Sequence, residues 1–171
     1  MKASTRLINR HGWLVPCPPR SALLAWENNT ISPAFVQRYG GEVETCRLFG
    51  LCLESSDGIW LAGHEAKPLF LCGVALVPGN PTIGQCWVFP FDSVHQHPIT
   101  TLLAARTALA LQAKLGLREV FSYVPVSDTR SMRFAVRVGF DLCHDQFDLP
   151  IGNSLRISWS SGKEGTSKND G

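Results

Sequence analysis

The most telling segment of the chain is Ser127-Asp128-Thr129-Arg130-Ser131-Met132-Arg133-Phe134-Ala135-Val136-Arg137-Val138-Gly139-Phe140. Ser127 or Asp128 can cap a helix over 129–138, because a short oxygen-bearing side chain accepts from the unpaired N–H groups of a first helical turn. Gly139 stops that helix. Just before it, Glu119 to Val126 reads as a strand. Upstream, Pro98 opens the one strong helix, Ile99 to Leu115, which Gly116 closes. That helix carries two apolar stripes. Ile99, Leu102, Leu109 and Ala113 form one; Ala104, Ala108, Leu111 and Leu115 form the other. Such a helix is expected to pack on two sides.

Before the 98–115 helix, Phe70 to Val77 and Ile83 to Phe91 read as strands separated by Pro78-Gly79-Asn80-Pro81, with Pro90 marking an exit or a bulge. Cys46 to Leu53 reads as a short apolar strand, followed by an Asp57-Gly58 hairpin signal and a strand over 59–62. Short helices are expected over Arg20–Glu27 and from Ser32-Pro33 to Gly40-Gly41. Two closing strands are expected near 140–148 and 154–159. Strand–helix–strand in the middle implies a parallel crossover, whereas the flanking hairpins are antiparallel. The expected fold class is therefore single-domain α/β: a mixed, mostly antiparallel sheet with helices on both faces. The domain spans 13–159, after a weakly patterned 1–12. The tail 160–171, without apolar residues, is expected to be disordered.

Composition limits function. The 171 residues are 44% hydrophobic and 18% charged, with a formal net charge of +2, so nucleic acid or an anionic membrane gains no support from bulk charge. The five tryptophans are scattered and form no stacking ladder for nucleic acid. The run 99–115 is too short, and too interrupted by Arg106, to span a membrane. None of the six cysteines forms a C-x-x-C pair, and Cys46, Cys52, Cys72 and Cys86 lie in apolar runs. With no apolar signal segment at the N-terminus, reduced thiols and a cytoplasmic setting are expected. His95-x-His97 and Cys143-His144-Asp145 match no closed metal-ligand spacing, and no metal is expected.

This order of elements, with Leu71-Cys72-Gly73-Val74-Ala75-Leu76-Val77, Gln85-Cys86-Trp87-Val88-Phe89, the 98–115 helix and the 127–140 segment, resembles the GNAT family of acetyl-CoA-dependent N-acetyltransferases. The resemblance covers about Leu71 to Phe140. A narrower one, carried by Gln85-Cys86-Trp87 and the Arg133-Phe134 helix, is to the acetyltransferase-like internal virion proteins of short-tailed phages. The family resemblance implies acetyl-CoA as cofactor and an amine, of a protein or a small molecule, as acceptor. Val88 and Phe89 would flank the thioester. Gln96-His97-Pro98-Ile99-Thr100-Thr101 would stand at the pyrophosphate loop, where N–H groups of a helix start meet phosphate. Ile99 and Thr101 replace small residues there, and Pro98 removes a donor.

The family's general-acid Tyr position is Ala135, and the chain has only Tyr39 and Tyr123. Asp92, His95 and His97 are the candidate bases beside the fourth strand. Asp128 stands at a cofactor-contacting position, though an acid there also caps the helix. Arg130, Arg133 and Arg137 share a helix face that could grip a 3′-phosphate or be a solvated basic face. The phage resemblance implies the alternative: a non-catalytic protein that binds a host enzyme or is packaged in the virion.

Overall fold

The structure, a computed structural model, describes residues 5–161. The sequence expectation of a disordered tail falls, from 162 onward, outside the described residues. The elements run β1 (Arg6–Leu7), β2 (Gly12–Pro16), α1 (Pro19–Glu27), α2 (Pro33–Arg38), α3 (Glu42–Ser55), β3 (Gly58–His64), β4 (Lys67–Val77) and β5 (Asn80–Pro90). A 3-10 helix, Asp92–Gln96, leads into α4 (Pro98–Ala113), then β6 (Glu119–Pro125), α5 (Thr129–Val138), β7 (Asp141–Leu149) and β8 (Gly152–Ser160). One eight-stranded sheet results, in the order β1-β2-β3-β4-β5-β6-β8-β7. Among the described residues only β5 and β6 pair in parallel. No described helix is long and apolar enough to cross a membrane.

Local chemistry sets the element ends. Asp128 caps α5, its carboxylate accepting from the Ser131 N–H at 3.1 Å. Gly139 ends that helix at φ 123°, and its N–H reaches back to the Ala135 and Val136 carbonyls. The left-handed turn there is open to glycine at little steric cost. Pro98 starts α4, as its missing N–H has no intrahelical partner to lose.

The sheet separates two cores, and β4 is buried on both faces. Phe70, Cys72 and Val74 face α4 and join Leu14, Trp60, Ala104, Ala108, Leu117 and Val120. Leu71 faces the other way, into Phe35, Phe49, Ile59, Phe89 and Phe91 beneath α1–α3. Alternation along a strand produces this division. Each fully buried large apolar side chain stabilises by about 1.5–3 kcal/mol, so the two layers make β4 the axis of the fold.

Several sequence expectations are corrected. Residues 46–53 are not a strand but the middle of α3. Thr45 and Phe49 are buried, with Leu48 and Cys52 packed on the same core. That spacing is helical, and an eight-residue apolar window hides it. Cys46 is accordingly exposed. Asp57-Gly58 makes no hairpin; it links α3 to β3, the Asp57 carboxylate accepting from the Leu76 N–H at 2.9 Å. The β3–β4 turn is at Glu65, with φ 52°. Trp13–Pro16, for which no element was expected, lies in β2 and pairs with β3. On α4, Ile99 is 73% exposed, while Thr100, Thr101 and Gln112 are buried in its place.

Candidate active site

The site begins where the sheet opens. β5 and β6 are paired only through Ile83–Gln85 and Glu119–Phe121. Beyond those residues both strands continue, β5 to Pro90 and β6 to Pro125, without a ladder between them. The β6-facing edge of β5 is thus left without a strand partner, and unpaired backbone groups there need another acceptor or donor. Val88 lies within this stretch and is 44% exposed although its strand is central. Phe89 turns away into the core under α1–α3. Trp87, on Phe89's side, donates its indole N–H to Ser56 Oγ at 2.7 Å.

The chain leaves β5 at the open end of this cleft. Asp92, exposed, is anchored by its backbone N–H on the Thr30 carbonyl at 2.9 Å. Its carboxylate carries no hydrogen bond among the described residues. His95 is held at both nitrogens. Arg130 Nη2 lies 3.2 Å from its Nδ1, and Ser32 Oγ lies 3.4 Å from its Nε2. An arginine only donates, so Nδ1 is the acceptor and Nε2 carries the proton towards Ser32. The lone pair a base would use is occupied.

His97 stands just ahead of α4, its ring stacked on His64 with centroids 3.9 Å apart and planes 19° apart. Partial burial, and then the neighbouring His64 and Lys67, hold its imidazole below the usual histidine range, with Glu65 pulling the other way. Gln96 accepts from Lys67 Nζ at 3.1 Å. Thr100 is buried, its hydroxyl 3.0 Å from both Asn9 Nδ2 and His64 Nδ1. Thr101 turns inward, its N–H and its hydroxyl each 2.9 Å from the His97 carbonyl. That N–H begins the helical ladder, so the N–H groups of Ile99 and Thr100 precede it as donors without helical acceptors.

After β6, Asp128 is bound to Arg38 of α2 at 2.5 Å as well as capping α5. Its carboxylate is committed to the protein. Arg130 is committed to His95, while Arg133 and Arg137 are exposed. Ala135 is buried against Val124 and Ile157 and brings no ionisable group to the site. Cys86 sits among the α4-side core residues, and burial pushes its thiol up to about 12, so it is no thiolate nucleophile near neutral pH.

The structure thus gathers Asp92, His95, Gln96, His97, Ile99, Thr100 and Thr101 along one path from the cleft to α4, with Val88 in the cleft. It adds Arg38, His64, Lys67 and Asn9, which sequence reasoning missed. Their partners are 29 to 93 residues away, and no local pattern signals them. Among the described residues no group of three or more His, Cys, Asp or Glu is placed to hold a metal ion.

No protein-family model matches the sequence, and no curated protein matches it closely. Solved structures do. The aminoglycoside acetyltransferase AAC(6')-Ib, in complex with paromomycin and acetyl-CoA, superposes with a TM-score of 0.68 over 94% of this chain and 99% of its own, at 14% identity. The fold is that of the GNAT acetyltransferases. RimL, a ribosomal L7/L12 α-N-protein acetyltransferase, shares this GNAT fold at TM-score 0.62 and 10% identity, over 92% of this chain and 98% of its own. A spermidine N-acetyltransferase SpeG chimera from Vibrio cholerae and hSSAT gives TM-score 0.54 and 13% identity, over 71% and 77%. The eight-stranded sheet with its one parallel pair among the described residues matches the fold of these structures.

Proposed function

We propose that this chain is an acetyl-CoA-dependent N-acetyltransferase acting on an amine of a protein or a small molecule. The observation that carries the reading is the cleft. A central strand leaves its neighbour after three register pairs, exposes Val88, and leads through a short loop to the start of a long helix. That shape suits a thin pantetheine arm between strands with a pyrophosphate at the helix start. The resemblance to structures holding acetyl-CoA or coenzyme A supports it.

When bound, the cofactor supplies an activated acetyl thioester. The Ile99 and Thr100 N–H groups, with Gln96 and His97 beside them, hold the phosphates, and Thr101 keeps that turn wound. The β5 backbone at Val88 and Phe89 orients the arm and offers donors to the carbonyl. Arg133 and Arg137 lie towards the adenosine end. Asp128 keeps α5 and α2 together and does not touch the cofactor. Asp92 accepts the proton of the acceptor amine, since its carboxylate is open where His95 is not. Purified protein should release CoA from acetyl-CoA with one member of a panel of aminoglycosides, polyamines and N-terminal peptides, the acceptor types of the similar structures. Binding without release across the panel would contradict the transferase reading.

A second reading is favoured by Pro98, Ile99 and Ala135: a non-catalytic protein on the same scaffold that binds a host enzyme or is packaged in a virion. It predicts partner capture with no CoA release. The relatives named above carry no phage or virion context, so this reading rests on those three residues and the narrower sequence resemblance.

A further inference from the structure

Three histidines from separate parts of the chain meet at the start of α4. His97 precedes its first residue, His64 ends β3, and His11 lies between β1 and β2. The His97 and His64 rings are stacked at 3.9 Å, and His11 lies 5.6 Å from His64. Lys67 stands on β4 with its amine on Gln96. Glu65, the one acid of the group, is 3.2 Å from His11. The first turn of α4 brings no charged side chain, and Arg130 of α5 lies on His95 instead.

We propose that the stacked His64–His97 pair is a proton-linked contact for the cofactor's pyrophosphate: it takes up a proton, in part or whole, as the anion arrives. This rests on the acetyl-CoA reading above. Two stacked imidazoles repel when both are charged, and the positive end of α4 and Lys67 repel even the first charge. A pyrophosphate at the same helix end reverses the sign of the field, so the pair gains a proton, shared between the two rings. The Thr100 hydroxyl, already accepting from Asn9, can give its proton to His64 Nδ1 or accept one from it, so the bond survives protonation. The downward displacement of His97 in the free protein agrees with this. Because the affected group binds its proton more tightly in the complex, affinity rises as pH falls through the bound value and levels off below the free one. Each unit between the two is worth about tenfold in affinity.

Calorimetry near pH 7 in two buffers of different ionisation enthalpy counts the protons. Dephospho-CoA is the probe, because it keeps the pyrophosphate but lacks a monoester that titrates near 6. We expect uptake of a fraction of a proton, up to about one, by the unaltered protein. We expect none with acetyl-pantetheine, which has no pyrophosphate, and none with His97→Asn combined with His64→Asn. Dephospho-CoA binding without uptake, or equal uptake with acetyl-pantetheine or in the double variant, overturns the inference while leaving the cofactor reading standing. Absence of binding by both CoA and dephospho-CoA overturns that reading, and this inference with it.

Discussion

At the residue scale, three acidic or basic candidates adjacent in sequence separate by what already holds them. His95 is occupied at both nitrogens, His97 is stacked on a second imidazole, and Asp92 is open. Asp92→Asn should therefore cut turnover by about 10²–10⁴-fold with little change in cofactor affinity, the signature of a lost proton acceptor. Steady-state rates beside CoA titrations check it, and an equal loss of affinity would speak against the role. Asp128 behaves differently. Asp128→Asn removes the charge paired with Arg38 while its amide oxygen can still cap α5, and should cost about 2 kcal/mol of stability through the lost pair. Thermal melts would show that as roughly 4–8 °C for a chain of this size. Combined with Arg38→Gln the loss should be less than additive, since both remove one contact. Among the thiols, Cys46 is exposed and should be alkylated first at pH 8, whereas burial raises the pKa of Cys72 and Cys86 and keeps them protonated. Peptide mapping after brief iodoacetamide treatment reads this directly.

At the element scale, the sequence was legible where one local signal coincided with one structural need. Pro98 and Gly116 bracket α4, and Asp128 and Gly139 bracket α5, because caps are properties of a few adjacent residues. It was illegible where burial depends on distant chain. Thr45, Leu48, Phe49 and Cys52 form a helical face, but Cys46–Leu53 alone reads as a strand. Ile99 looks like a core residue and is exposed, while Thr100 is buried because Asn9 and His64 satisfy its hydroxyl. Nothing near 99–100 announces partners at 9 and 64. The start of α4 also yields a prediction with opposite signs. Ile99→Gly frees the approach to two N–H groups and should tighten CoA by about 1 kcal/mol, roughly fivefold. It should also lower stability by up to about 1 kcal/mol, from glycine's helix propensity. Packing limits the other side of that turn. A Cβ on Gly12 would stand 2.5 Å from Thr100 Cγ2, so Gly12→Ala should push on the same turn, destabilise by about 1–3 kcal/mol and weaken CoA as well.

At the scale of the whole molecule, the sheet does two jobs. Through β4 it is a continuous wall between two cores; past Gln85 it opens. The mixed topology was readable, since strand–helix–strand in the middle of a run of hairpins allows only one parallel pair. The opening itself was not, because the end of a ladder is decided by twist and by what packs on each strand rather than by any residue in it. Under the proposed function this opening holds acetyl-CoA. The most direct test is the melting temperature with and without acetyl-CoA. At a hundredfold its dissociation constant a ligand of the native state stabilises by about 2.7 kcal/mol, a rise of roughly 5–10 °C here. A rise of that order, reduced by a Val88→Trp substitution that fills the cleft, is the predicted result. An unchanged melting temperature at millimolar acetyl-CoA would contradict the account.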